Sequence, residues 1–363
     1  MFSKQNSEEP FSMKKRVFAV GAIALASVTV LAGCRSHDAG GSSSNDKTDL
    51  KVAMITDTGG INDRSFNQSA WEGLQAWGKD NGLKKGVGYN YFQSNSASDY
   101  TTNFNSAEQQ GYKLLFGIGF SLQDATTSAA KNNPKSNFVI IDSVIEGQKN
   151  VASALFADNE SAYLAGVAAA KATKTDKIGF IGGMQSDVIT RFEKGYEAGA
   201  KSVKPNIKVD VQYAGSFTDA AKGKTIAAAM YGAGDDVVYQ CAGGVGVGAF
   251  SEAKALNSTK NEADKVWLIG VDQDQEYLGD YTSKDGKKSN FVLVSTIKEV
   301  GKVVQDIADK TKDGKFPGGE TTTYNLKDGG TDLAKDNASD DVWKAVETAK
   351  ADIISGKITV PAK

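Results

Sequence analysis

Nearly every residue in this chain that could do chemistry stands just after a short apolar run. Residues 57–67 read D-T-G-G-I-N-D-R-S-F-N and follow LKVAMI. The glycines permit a tight turn, and Asp57 and Asn67 offer acceptors and donors able to read the edge of a heterocycle. Phe66 could stack on a ligand or pack beneath a helix. Asp142 follows Val139-Ile140-Ile141, where a carboxylate either faces a ligand or caps a helix. Tyr239 follows Val237-Val238 and leads into Gln240-Cys241-Ala242-Gly243-Gly244. That glycine pair lets backbone N–H groups approach a ligand. Asp272 ends Leu268-Ile269-Gly270-Val271, and a carboxylate there suits the two hydroxyls of a ribose diol. Lys298, after Ser295-Thr296-Ile297, reads either as a site cation or as an exposed helix lysine.

Other chemistry is excluded by what is scarce. The 363 residues include one histidine, His37, and two cysteines, Cys34 and Cys241. Histidine triads and histidine-based metal sites therefore have no material. With no Cys-x-x-Cys pair there is no zinc ribbon or redox motif, and Cys241 reads as a small apolar residue. The 42 Lys and Arg against 44 Asp and Glu give a net charge of −2. They are spread along the chain without the basic stripe that nucleic acid requires. Gly244-x-Gly246-x-x-Ala249 fits a loose dinucleotide fingerprint, but such turns are common. A nucleoside-cleaving enzyme would need a clustered metal site or a placed acid, and the sequence offers only isolated carboxylates. No catalytic residue, cofactor or metal is expected.

The elements that position these residues follow from periodicity. Residues 50–55, 89–92, 113–118 and 138–141 have buried-strand patterns, separated by amphipathic stretches such as Phe66, Ala70, Leu74 and Trp77. Ser65 or Asp63 is the expected N-cap of that helix. The pattern restarts at Lys177-Ile178-Gly179-Phe180-Ile181 and continues through strands at 208–213, 236–240 and 266–270. The expected fold is α/β, with two doubly wound, Rossmann-like domains joined by a hinge. Ligands of such sheets bind beyond the carboxyl ends of the strands. The first lobe is expected to take residues 50–158 plus about 291–320, and the second residues 159–290 plus about 321–363.

The N-terminus reads as an address. Lys14-Lys15-Arg16 precede an apolar run from Val17 to Leu31, then Leu31-Ala32-Gly33-Cys34. The run falls short of the roughly 20 apolar residues of a membrane span and describes a signal peptide. Residues 1–33 are read as an upstream extension and signal peptide, with Met13 as the natural start. The Leu-Ala-Gly-Cys order resembles a bacterial lipobox, which makes Cys34 the lipid attachment site. Residues 34–49 would follow as a flexible tether containing His37.

The 57–68 motif, Phe156-Ala-Asp-Asn-Glu-Ser-Ala-Tyr-Leu-Ala-Gly, Gln240-Cys-Ala-Gly-Gly and Gly270-Val-Asp-Gln-Asp together resemble the BMP family of basic membrane lipoproteins. The PnrA-like purine nucleoside receptors are the functional relatives within it. The resemblance runs from about Lys51 to Pro361. It implies the type I periplasmic-binding-protein fold, a nucleoside ligand and an ABC transporter permease as partner. It also implies a lipid anchor on the extracytoplasmic face of the cell membrane and a monomer. In that family a purine lies between two aromatic rings, which by motif match would be Phe66 and Tyr239. Asp57, Asn67 and Asp142 would lie near the base or sugar, with Gly244 at the turn and Asp272 and Lys298 holding the ribose. Ile189, Phe192 and Tyr196 form a helix stripe and are read as core. The alternatives are a receptor for a sugar or other polar metabolite, or a surface adhesin.

Overall fold

The computed structural model describes residues 48–363. The expected signal peptide, the acylation site at Cys34 and nearly all of the tether lie outside the described residues. The first α/β run comprises β1 (Val52–Ile55), α1 (Phe66–Asp80), β2 (Tyr89–Phe92) and α2 (Asp99–Gln109). It continues through β3 (Leu114–Gly117), α3 (Gln123–Asn132), β4 (Asn137–Ile141) and β5 (Val151–Phe156). The second run is α4 (Asp158–Ala172), β6 (Lys177–Gly182), α5 (Asp187–Val203), β7 (Lys208–Tyr213) and α6 (Ala220–Ala233). It proceeds through β8 (Val237–Cys241), α7 (Gly244–Asn257), β9 (Trp267–Gly270) and a hairpin of β10 (Asp280–Thr282) and β11 (Lys288–Asn290). The chain closes with β12 (Val292–Lys298), α8 (Val300–Lys312), β13 (Thr321–Tyr324), β14 (Thr331–Ala334) and α9 (Asp340–Ile354).

Among the described residues these strands form two six-stranded sheets of matching order, β13-β5-β4-β3-β1-β2 and β14-β12-β9-β8-β6-β7. The match pairs β4 with β9, β3 with β8 and β5 with β12. Pairing is parallel within both sheets except for β14, which runs antiparallel to β12. The central strands are buried along their whole length because helices cover both faces. The chain passes between lobes after β5, after β12 and after β13.

Two expectations about these crossings need correction. The strand near 291–295 was expected in the first lobe, but β12 lies in the second sheet, parallel to β9 through Val292–Leu268 and Ser295–Gly270. Its apolar run is buried on both faces, so it is satisfied beside β9 and only α8 packs back on α1. Conversely, β13 was expected in the second lobe and instead pairs with β5 in the first sheet.

Small residues decide how the helices dock. A Cβ on Gly199 of α5 would stand 2.0 Å from the Tyr163 carbonyl oxygen of α4, and one on Gly195 2.2 Å from that of Asn159. Facing them, a Cβ on Gly166 would meet the Tyr196 carbonyl at 2.2 Å. The α4 and α5 backbones therefore touch. Gly73 of α1 meets Gly301 of α8 equally closely, with a Cβ 2.2 Å from that carbonyl oxygen, which lets α8 settle on the first lobe.

This packing sets opposite expectations for two glycines. Gly199→Ala forces two helix backbones apart and should destabilise the fold at the upper end of the ~1–3 kcal/mol seen for overpacking. Gly232 in α6 faces open space, with nothing within 4 Å of where a methyl group would stand. Gly232→Ala should therefore stabilise by about 0.5–1 kcal/mol through helix propensity. Urea unfolding of both variants reads the signs; a neutral Gly199→Ala would contradict the close α4–α5 contact.

Candidate functional site

The carboxyl ends of both sheets open onto one cavity between them, ≈ 560 Å³ of non-atom space with the solvent at its mouth included. From the first lobe it is lined by Asp57, Gly59, Asp63, Phe66, Asn67, Gly119, Phe120 and Asp142. The second lobe adds Val188, Ile189, Phe192, Phe217, Cys241, Ala242, Gly243, Val271 and Asp272, and Lys298 lies at the end of β12. The walls are thus mostly apolar and aromatic, with a few carboxylates and one ammonium group.

The turn after β1 builds one polar wall. Asp57 Oδ1 accepts from Gly59 N at 2.8 Å and from Asn67 Nδ2 at 2.7 Å. Asp63, not Ser65, caps α1: its Oδ1 accepts from Ser65 N at 3.0 Å and Gln68 N at 3.1 Å, and its Oδ2 from Asn67 N at 2.9 Å. Asn67 Nδ2 also donates to Asp63 Oδ2 at 2.9 Å. Both amide protons of Asn67 are spent on carboxylates, leaving its Oδ1 buried without a hydrogen-bond partner among the described residues.

Lys298 is buried, not exposed on a helix. Its Nζ donates to Asp142 Oδ2 at 2.7 Å and stands 3.1 Å from Asp158 Oδ1. It also lies over the rings of Phe156, Phe66 and Phe192, at 4.9, 5.1 and 5.8 Å from their centroids. Asp158 opens α4 and takes Arg191 Nε and Nη2 on its other oxygen at 3.2 and 3.1 Å. Burial alone would pull the lysine pKa down, but Asp142, Asp158 and Asp272 outweigh it and raise it. Asp142 is pushed up by burial against the opposing pull of Lys298. Its Oδ1 is a second buried acceptor with no partner among the described residues.

Asp142 and Asp272 occupy matching places after β4 and β9, and both have φ 66°. That left-handed conformation is uncommon outside glycine, though Asp adopts it more readily than most residues. It aims both carboxylates into the cavity. Ser65 Oγ hydrogen-bonds Asp272 Oδ2 across the lobes.

The structure thus brings together Asp57, Phe66, Asn67, Asp142, Asp272 and Lys298. It does not bring Tyr239. That residue is fully buried one layer below, packed against Tyr196 at 5.1 Å, Phe180 at 5.7 Å and Phe192 at 6.4 Å. Its hydroxyl meets Thr296 Oγ1 at 2.8 Å. The reason is that β8 runs two residues further, to Cys241, so Cys241 takes the cavity position on the same strand face. Gly244 is likewise replaced: Gly243, with φ 55°, lines the cavity, while Gly244 starts α7.

Phe192, read as core, is both 3% exposed and a cavity wall. Phe120 and Phe217 were missed, although they follow β3 and β7 and the strand-end rule points to them. Their rings meet edge to face at 6.4 Å. The glycines of Gly244-x-Gly246 have a packing role instead of a phosphate-binding one, since a Cβ on Gly246 would stand 1.9 Å from Gln240 Oε1.

A family model described as ABC transporter substrate-binding protein PnrA-like matches residues 50–363. The chain is 83% identical over 351 residues to the ABC transporter nucleoside-binding protein BmpA of Lactococcus lactis subsp. cremoris, covering 97% of this chain and 100% of that protein. It is 32% identical over 317 residues to basic membrane protein A of Borreliella afzelii, covering 86% and 91%. Among solved structures, an ABC transporter system solute-binding protein from Aeropyrum pernix K1 superimposes with a TM-score of 0.74 at 26% identity. That match covers 86% of this chain and 94% of the other.

The buried carboxyls make stability depend on pH. Burial raises Asp272 to about 7 and Asp57 to about 6 from 3.8. Between these values the folded state holds protons that the unfolded chain has lost. The stability they contribute is therefore full below pH 3.8 and is lost as pH rises through about 6 and 7. Asp272→Asn removes one such group while keeping an acceptor for Ser65. From pH 5 to pH 8, wild type should lose roughly 2–3 kcal/mol relative to this variant. Denaturant unfolding at the two pH values checks it, and a pH-independent difference would contradict the buried neutral carboxyl.

Proposed function

The chain belongs to the Bmp family of PnrA-like ABC transporter substrate-binding proteins, and we propose that it captures a nucleoside, purine favoured, between its lobes and delivers it to an ABC permease. The observation that carries this reading is the pair of unpartnered buried acceptors, Asn67 Oδ1 and Asp142 Oδ1, in a cavity walled by phenylalanine rings. Buried acceptors call for donors, and a nucleoside supplies them from base N–H groups and sugar hydroxyls while its flat base suits aromatic walls. The name of the 83%-identical relative supports the same ligand class.

In this reading Phe66 stacks on one face of the base, and Phe192 or Phe217 takes the place expected for Tyr239 on the other. Asp57 and Asn67 read the base edge. Asp142, Asp272 and Lys298 hold the sugar, the lysine through whichever ammonium proton Asp142 and Asp158 leave over. The protein acts as a monomer, tethered by lipid at Cys34 to the extracytoplasmic face of the membrane, and returns its ligand chemically unchanged.

Calorimetric titration with inosine and hypoxanthine tests the site. Phe66→Ala and one or both of Phe192→Ala and Phe217→Ala should each weaken nucleoside binding about 5- to 150-fold, from stacking worth roughly 1–3 kcal/mol. Asp272→Ala should weaken the nucleoside far more than the base. Undiminished binding in Phe66→Ala, or equal losses for nucleoside and base in Asp272→Ala, would overturn these roles. Inosine recovered after incubation should contain no free base.

The anchor has its own test. Cys34→Ser should move the protein from the membrane fraction to the medium or periplasm on fractionation, and a membrane-bound variant would refute lipid attachment there.

A further inference from the structure

The loop after β9 does more than present Asp272. Its next residues reach across the cavity mouth and grip the main chain at the start of α1. Gln273 Nε2 donates to the Ser65 carbonyl at 2.7 Å, and Gln275 Nε2 donates to the Arg64 carbonyl at 2.7 Å. Neither glutamine lines the cavity. We propose that Gln273 and Gln275 are positioning residues that hold the two lobes closed through the Arg64–Ser65 backbone, so that retention of any ligand depends on them although neither touches it.

Both sides of this contact are built in advance. Gln275 is 3% exposed and tied down within the second lobe. Its Oε1 accepts from Gln240 Nε2 and Val271 N, both at 2.9 Å, and its backbone N donates to Ser295 Oγ at 3.1 Å. Only Nε2 is left to point outward, in one fixed direction. Opposite it, Arg64 has φ 57°, a left-handed turn that presents the carbonyls of Arg64 and Ser65 toward the second lobe. Asp63 takes over the capping of α1, which releases the Ser65 hydroxyl for Asp272. Because the gripped groups are main-chain carbonyls, closure is recognised by backbone geometry whatever the ligand. Pre-organised groups of this kind lose little entropy when they engage.

The test reads lobe separation directly. In a Cys34→Ser background, spin labels on Asp124→Cys in the first turn of α3 and Lys222→Cys in the first turn of α6 sit on exposed positions of opposite lobes, while Cys241 is buried and escapes labelling. In ligand-free protein, pulsed dipolar distances should show a closed population that Gln273→Ala and Gln275→Met both shift toward the open one. Identical distributions in wild type and variants overturn the latch. Gln273 is held by one side-chain bond at the loop surface, so Gln273→Ala answers the question even if Gln275→Met fails to fold.

The kinetic arm rests on the nucleoside reading. Dissociation of inosine and of hypoxanthine should speed up by the same factor, about tenfold, in Gln273→Ala. Different factors for the two ligands would mean that the glutamine contacts ligand, and overturn its role. If neither compound binds wild type, the proposed ligand fails, whereas the distance measurement still decides the latch.

Discussion

The ammonium group of Lys298 is the point on which the joint between the lobes turns. It is buried, and it pulls together the end of β12, the end of β4 through Asp142 and the start of α4 through Asp158. Charges are costly to bury and are retained only when paired in good geometry. Here the pairing is nearly complete: Arg191 neutralises the far side of Asp158, and three phenylalanine rings face the cation. Loss of the lysine would strand Asp142 in an apolar enclosure and leave Asp158 to Arg191 alone. The same group that fixes the crossing strands therefore also fixes the floor of the cavity.

Around that floor the two lobes repeat one solution. Each sheet ends its third and fourth strands with the same devices: a positive-φ glycine, Gly119 or Gly243, and then a positive-φ aspartate, Asp142 or Asp272. The glycines open space beside the cavity, and the aspartates turn their carboxylates inward. Backbone conformations of this sort persist where surrounding structure over-determines them, and they gather at binding sites. The electrostatics differ between the copies. Burial raises both carboxyls, but Asp142 is paired with a lysine, whereas Asp272, raised to about 7, meets a serine hydroxyl.

The latch and the ion cluster divide the work of closure. The cluster lies where the chain crosses between lobes, near the pivot, so opening need not break it. The Gln273 and Gln275 contacts lie between the β9 loop and the α1 turn, across which the lobes must separate. A hinge held at its axis and clasped at its rim can move between two discrete arrangements without passing through a continuum of loosely packed ones.

What the sequence determined by itself was the layering and the polar half of the site. Alternating apolar runs and amphipathic stretches dictate parallel sheets covered by helices, because a strand buried on both faces has no other partner. A carboxylate directly after such a strand has to face the crevice or a cap, which is why Asp57, Asp142 and Asp272 were legible as site candidates. Tertiary structure alone decided the rest. Whether Tyr239 or Cys241 meets the cavity depends on where β8 stops, and both choices satisfy the same two-residue period. Phe192 looks like core because one helix stripe can be covered on one side by a sheet and on the other by a ligand cavity. The pairing of Lys298 with Asp142 and Asp158 joins residues far apart in the chain, as does the grip of Gln275 on Arg64. No local pattern encodes such contacts; they exist only once three crossings of the chain bring the carboxyl ends of the two sheets to one cavity.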